Sequence, residues 1–349
     1  MAKKPVKLAV AGLGRSGWDI HVAGVRGDDR YRIVAVMDPL ATRRTEAAAE
    51  FACETYDDYG KMLRATNADV ITVATPSAFH GPQTIAALKA GKHVVVEKPL
   101  STSVREADRM IAAAATCKRH LMIHQNYRLF PSCTFMLTLV KSGKLGKLTH
   151  LAFNSSSYSR RNDWQCLRAN AGGLLNNHGT HALDQLLTLV RSPIKDVLCD
   201  MKHISDAGDV EDQVTILLRA ENGVTIGVNI STAAATVEQA PEWTILGSSG
   251  AATIANGKAH LKYYDPKKAP KIRVRKTTAV DGRKYGNDDV LPWVEEACDA
   301  IGPDPGSFYD AVYATVRQRK KFIVQPSEVR EMMRVIDICR KQNPAFPGR

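Results

Sequence analysis

The chain has no apolar run near the roughly 20 residues a bilayer-spanning helix needs, so a membrane protein is not expected. Its N-terminus, Met1-Ala2-Lys3-Lys4-Pro5, carries no h-region and no small-residue cleavage site. The expectation is a cytoplasmic protein without a secretory signal. Its seven cysteines, Cys53, Cys117, Cys133, Cys166, Cys199, Cys298 and Cys339, are odd in number and include no C-x-x-C pair. That argues against a disulfide framework and against a zinc site, and no metal is expected. Aromatic residues make up only 6% and form no RNP-type set, and no recognition helix or zinc finger is present. A nucleic-acid partner is therefore not expected, despite a formal net charge of +12. The densest basic stretch alternates Lys271, Arg273 and Arg275 with Ile272 and Val274, the period of an edge strand with one solvated face. The charge excess suits steering of an anionic small molecule.

What is present is ample core material: 349 residues, 44% apolar and 24% charged, enough for about two domains. Over residues 1–125 strand and helix signals alternate, as in a doubly wound α/β domain of the Rossmann type. Strands are expected at Lys7–Ala11, Arg32–Met37, Asp69–Ala74, His93–Val96 and Leu121–Ile123. Helices are expected at Ser16–Val25, Thr42–Phe51, Gln83–Ala90 and from a Ser103/Glu106 capping box through Ala115. Over residues 126–349 the pattern becomes α+β with a large, mostly antiparallel open sheet. Helical signals at Thr134–Val140 and His181–Val190 precede strands at Val214–Arg219, Val224–Ile230, Trp243–Leu246, Ala251–Ile254 and His260–Tyr264. Hairpin turns at Glu221-Asn222-Gly223 and Ser248-Ser249-Gly250 separate several of them. An amphipathic helix, Ser327–Gln342, closes the chain with a face able to pack back on the first domain.

Gly12-Leu13-Gly14-Arg15-Ser16-Gly17 matches G-x-G-x-x-G directly after a strand and at the opening of a helix. The first glycine permits the tight turn, the second lets backbone approach a pyrophosphate, and the third lets helix and strand pack closely. The helix N-terminus then offers its N–H groups to the phosphates. Asp38 follows about 20 residues later at the end of the next strand, where a carboxylate holds ribose hydroxyls. A carboxylate there favours NAD. Arg43 and Arg44 lie just beyond and keep NADP open. Thr75-Pro76, at the third strand's end, belongs to the same crevice, with His80 starting the next helix as either a ligand or a capping group.

Lys98 ends the apolar run His93-Val94-Val95-Val96-Glu97 and is held extended by Pro99, which points it into the cleft beyond the strand ends. A snorkelling surface lysine is the plain alternative. Downstream, Gly172-Gly173 leads to Asn177 and His181, four apart and so on one face of a helix. Oxidising an alcohol requires a proton acceptor as hydride leaves, for which histidine is suited, and an ammonium nearby stabilises the alkoxide. Lys98, His181 and Asn177 are thus the catalytic candidates. A metal set from His178, His181 and Asp184, and a plain core histidine at 181, are the rivals.

Together these elements resemble the glucose–fructose oxidoreductase/inositol dehydrogenase/rhizopine-catabolism (Gfo/Idh/MocA) family across nearly the whole chain. The likeness rests on the glycine motif, the Thr75–His80 turn, Glu97-Lys98-Pro99, Gln125-Asn126-Tyr127-Arg128 and the approach to His181. It implies Lys98 as the catalytic lysine, often on a cis peptide to proline, and His181 as the acid/base. Asn177 stands where the family usually has aspartate, which removes a charge. Glu97 and Gln125 join the cofactor-side set, and Tyr127, Arg128, Trp164 and Arg168 are candidate substrate residues. The resemblance implies NAD(P)-dependent oxidation of a secondary alcohol in a sugar, cyclitol or sugar derivative. It also implies a homodimer or homotetramer built through the open sheet. A non-catalytic dinucleotide-binding regulator and an NAD-dependent glycosidase are the alternatives in this fold.

Overall fold

The computed structural model describes residues 4–274, 276 and 290–347. Six strands form a parallel sheet: β1 (Val6–Ala11), β2 (Tyr31–Met37), β3 (Glu54–Tyr56), β4 (Val70–Val73), β5 (His93–Val96) and β6 (Leu121–Ile123). Their order is β3-β2-β1-β4-β5-β6, so the chain winds outward from β1 in both directions and leaves a crevice at the switch point. Strands β4 to β6 are mostly apolar and buried but for His93 at the start of β5, as helices on both faces require. The flanking helices are α1 (Ala41–Phe51), α2 (Tyr59–Ala65), α3 (His80–Lys89) and α4 (Val104–Cys117). After β1 the chain makes π-type helical turns over Ser16–Val22.

Helix α5 (Pro131–Ser142) leads to the second sheet. Its strands are β7 (Leu148–Ser156), β8 (Ile194–Lys202), β9 (Gln213–Ala220), β10 (Thr225–Ser231), β11 (Trp243–Gly247), β12 (Gly250–Ala255), β13 (Lys258–Tyr263) and β14 (Val294–Asp299). The order is β14-β13-β12-β11-β7-β10-β9-β8, and every pairing is antiparallel except β7 with β10. One face buries alternate residues, Val214, Ile216 and Leu218 on β9, against α6 (Thr180–Val190) and its neighbours. The other face is open, with Leu198 and Leu217 paired across β8 and β9 and both exposed. Among the described residues no helix is long and apolar enough to cross a membrane.

The basic stretch is not a strand at residues 271–274, and Arg275 lies outside the described residues. Ile272 and Val274 are 75% and 88% exposed, so the alternation has no apolar face to bury and nothing to hold it in a sheet. The edge is instead β14, tied to β13 by Lys258–Asp299 and Lys262–Glu295 pairs.

The two last helices, α7 (Phe308–Gln318) and α8 (Pro326–Gln342), return to the first sheet, across the expected division at residue 125. Helix α7 opens on a Ser307/Asp310 capping box and sets Tyr309 against His21 and Tyr31. Helix α8 touches α4 and β6 on one side and α6 and β8 on the other. Asp337 accepts the Val104 N–H at 3.0 Å, Arg330 pairs with Asp108, and Gln342 accepts the Cys199 N–H at 2.8 Å.

Candidate active site

The glycine loop closes on backbone. Gly12 has φ +88°, and a Cβ there would stand 2.6 Å from the Ala74 carbonyl oxygen. A Cβ on Gly17 would lie 1.8 Å from the Gly12 carbonyl oxygen, so the third glycine is what lets the helix return under the turn. At Gly14 a Cβ would meet only an Arg43 nitrogen, at 3.9 Å, leaving an open backbone cradle. That is the space a pyrophosphate needs. Asp38, 2% exposed at the end of β2, braces the loop: its Oδ2 accepts the Leu13 N–H at 2.8 Å. Arg43 reaches back to the same oxygen at 3.3 Å, while Arg44 donates to the Asp38 carbonyl. Loop and acid together fit a dinucleotide.

Other residues expected on the cofactor side are used by the protein itself. The His80 ring nitrogens lie 2.7 Å from the Pro99 carbonyl and 2.9 Å from that of Thr75, so His80 staples the Thr75-Pro76 turn to the end of β5. Thr75 donates its hydroxyl to Gln83. Gln125 is fully buried beside Met332 of α8, its Oε1 without a partner.

Lys98 stands just past β5, and its peptide bond to Pro99 is cis. Its ammonium donates to Asn177 twice, to the backbone oxygen at 3.0 Å and to Oδ1 at 2.9 Å. Burial pushes its pKa down to about 8, with Glu97 opposing the shift and the Arg15 and Arg161 charges adding to it. Glu97 is seated by three donors. Its Oε1 takes His21 Nε2 and His124 Nδ1, each at 3.0 Å, and its Oε2 takes the Lys98 N–H at 3.0 Å. Burial alone would raise this carboxyl, yet His124 and His21 hold it well below the ordinary value. The Tyr309 hydroxyl, 2.9 Å from His21 Nδ1, closes the network from α7. His21, Glu97 and His124 have the composition of a metal site, but each ring nitrogen already stands at hydrogen-bond distance from one carboxylate oxygen.

His181 lies flat on Tyr127, ring centroids 3.7 Å apart at 12°. Burial first, and the Lys98 charge next, push its pKa down to about 2. The ring is therefore neutral at any working pH, and its Nδ1 is buried without a partner. His178 turns edge-on to Phe153, and Asp184 is bound by Arg128, so the three groups weighed as metal ligands do not converge.

Arg128 is buried and turned to its own carboxylate partners. Its guanidinium grips Asp184 through two bonds of 2.7 Å and pairs with Glu328, because a buried charge must be matched. Arg168 donates to the Asp209 and Ala345 carbonyls, and Trp164 is 46% exposed in the loop before Gly172. Gln165, which the sequence did not single out, accepts from Asn177 Nδ2 at 3.3 Å and extends the centre into a cleft bounded by Arg161 and Glu211.

The family models match at both sheets. Residues 6–125 match the oxidoreductase family, NAD-binding Rossmann fold, model of Gfo/Idh/MocA, and residues 135–253 match its C-terminal domain model. The chain belongs to the Gfo/Idh/MocA family. Its first sheet is accordingly an NAD-binding Rossmann domain. A 1-carboxy-3-chloro-3,4-dihydroxycyclohexa-1,5-diene dehydrogenase of Comamonas testosteroni is 26% identical over 65% of this chain and 58% of its own length. Myo-inositol 2-dehydrogenase of Thermotoga maritima is 27% identical over 62% of this chain and 66% of its own. The chain spans 53–58% of the length of the Comamonas enzyme and two fission-yeast oxidoreductases. An NAD-binding protein from Listeria innocua superposes with TM-score 0.80 at 25% identity, covering 98% of this chain and 95% of that one.

Proposed function

We propose that the protein moves a hydride between NAD and a secondary alcohol or ketone of a sugar, cyclitol or sugar derivative. The observation that carries this reading is Lys98 Nζ, anchored twice on Asn177 and pushed by burial to a pKa of about 8. Bound NAD supplies the hydride acceptor. As the carbon loses hydride its hydroxyl must lose a proton, and the amine form of Lys98 is able to take it near neutral pH. Asn177 fixes the amine while contributing no charge of its own, and Glu97 sets the backbone from which Lys98 projects. His181, neutral and flat on Tyr127, serves by orienting the substrate through a hydrogen bond.

These roles differ from the expectation that His181 carries the proton beside a permanent Lys98 ammonium. A histidine held near pKa 2 is too weak a base to keep a proton. The names of the Comamonas and Thermotoga relatives specify a dihydroxycyclohexadiene and myo-inositol, which supports a cyclic secondary alcohol. Nicotinamide absorbance against a panel of polyols, inositols and sugars tests the reading. NADH formation that disappears in Lys98→Met upholds it, and unchanged turnover in that variant removes Lys98 from the chemistry. For the assembly, exposed Leu198 and Leu217 on the open sheet face support a homodimer or homotetramer, which light scattering in solution would resolve.

A further inference from the structure

Next to the Lys98 centre lies a cleft of about 380 Å³, with Arg161, Gln165, Asp206 and Glu211 among its walls. Its wall adjoins the centre, since Gln165 bonds Asn177 and Asn177 holds Lys98. Arg161 is close enough to Lys98 for its charge to depress the lysine. The loop fixes Arg161 by its near end: its backbone N–H donates to Asp206 at 2.7 Å and its Nε to Asp163 at 3.0 Å. Its two terminal nitrogens have no hydrogen-bond partner among the described residues, whereas all three side-chain nitrogens of Arg128 are spent. Glu211, whose Oε1 pairs with Arg340 at 3.8 Å, supplies a second group through its other oxygen. It is 1% exposed, and its Oε1 accepts the Leu175 N–H at 3.0 Å. Its Oε2 is buried without a donor, against Gly173 in the cleft wall. A buried carboxylate oxygen lacking a donor is costly, and a ligand hydroxyl would supply what is missing.

We propose that this cleft is the recognition subsite for a sugar acid, a polyhydroxy carboxylate. The free edge of Arg161 takes the carboxylate, and a ligand hydroxyl donates to Glu211 Oε2. The planar edge of a guanidinium matches a carboxylate through two parallel bonds. Charge favours the monoanion: of the two carboxylates in the cleft walls only Glu211 is matched, by Arg340, so a phosphate dianion would meet more repulsion from Asp206 than a carboxylate does. The inference rests on Lys98 as the reacting centre, because the cleft is placed by Gln165 and Asn177 beside that lysine.

The test is calorimetric titration of the NAD-loaded protein with D-glucuronate, D-galacturonate and D-gluconate. The uncharged parent sugars and glucose 6-phosphate are run beside them. At least one acid is expected to bind roughly tenfold or more tightly than its parent sugar, the value of one charge-assisted contact. Arg161→Met is expected to erase that advantage while leaving the parent sugar's affinity and NAD binding in place, which also shows that the variant folds. The proposal is overturned if none of the acids binds, if the parent sugar or glucose 6-phosphate binds as tightly, or if Arg161→Met weakens acid and sugar alike. Binding is read without turnover. Acids that bind by this pattern yet give no NADH would sink the Lys98 assignment and leave the subsite standing.

Discussion

The cofactor wall and the substrate wall of this cleft are held by different means. On the cofactor side main chain meets main chain, Gly12 against Ala74 and Gly17 against Gly12, with the Asp38 carboxylate bracing the Leu13 N–H. On the substrate side, side chains from distant segments hold one another: Lys98 on Asn177, Asn177 on Gln165, Glu97 between His21 and His124. A wall of backbone is intolerant of one added methyl group and indifferent to moderate pH. A wall of side chains accepts changes of shape but responds to every change of charge. Binding of the dinucleotide and the chemistry beside it should therefore be separable by mutation.

The largest separation is expected from Lys98→Met, which should lower kcat by about 10²- to 10⁴-fold while NAD affinity stays within a few-fold, read by absorbance and calorimetry. Gly17→Ala should do the reverse. Its Cβ would intrude to 1.8 Å from a carbonyl oxygen, so stability should fall by about 1–3 kcal/mol and NAD binding should weaken sharply. Normal NAD affinity in that variant would break the contrast between the walls. Alcohol oxidation should rise with pH through about 8 as Lys98 becomes the free amine, and carbonyl reduction should fall over the same range. Glu97→Gln removes the charge that raises Lys98, so that limb should move to lower pH; a fixed limb would uncouple Glu97 from the lysine.

The smallest effect concerns stability. Burial pushes His21, His80 and His181 below the ordinary value of about 6.5. The unfolded chain therefore takes up protons first, and stability present above that pH is lost as pH falls. Thermal denaturation should show Tm lower by a few degrees at pH 6 than at pH 7.

The cofactor wall was legible because its signals are local: three glycines at fixed spacing and an acid at the next strand's end. Lys98, in the substrate wall, was legible in the same way, between a valine run and a proline. Asn177 and His181 were legible through helical spacing. The supports of Lys98 were not. His21 and Tyr309 lie 288 residues apart, and neither occupies a position that marks it as buried until α7 folds back. Arg128 looked like a cleft residue because nothing near it in sequence announces Asp184, its partner 56 residues on. Of the four strands not expected from the sequence, β3, β7, β8 and β14, two have similar reasons. In β8 a register shift between Ile194 and Asp196 disturbs the alternation, and β14 has no apolar face and is held by ion pairs. The proton roles have a physical limit as well: spacing puts His181 on the right face, while burial and the neighbouring ammonium, which push its pKa down, are set by the fold.

Helix α8 is fastened to α4 at one side and to β8 at the other. Neither sheet can lose its order without cutting that helix from the other. Two cores that look like separate domains along the chain are thus expected to unfold together, as one calorimetric transition. The cleft between them is bridged by a helical strut, α8.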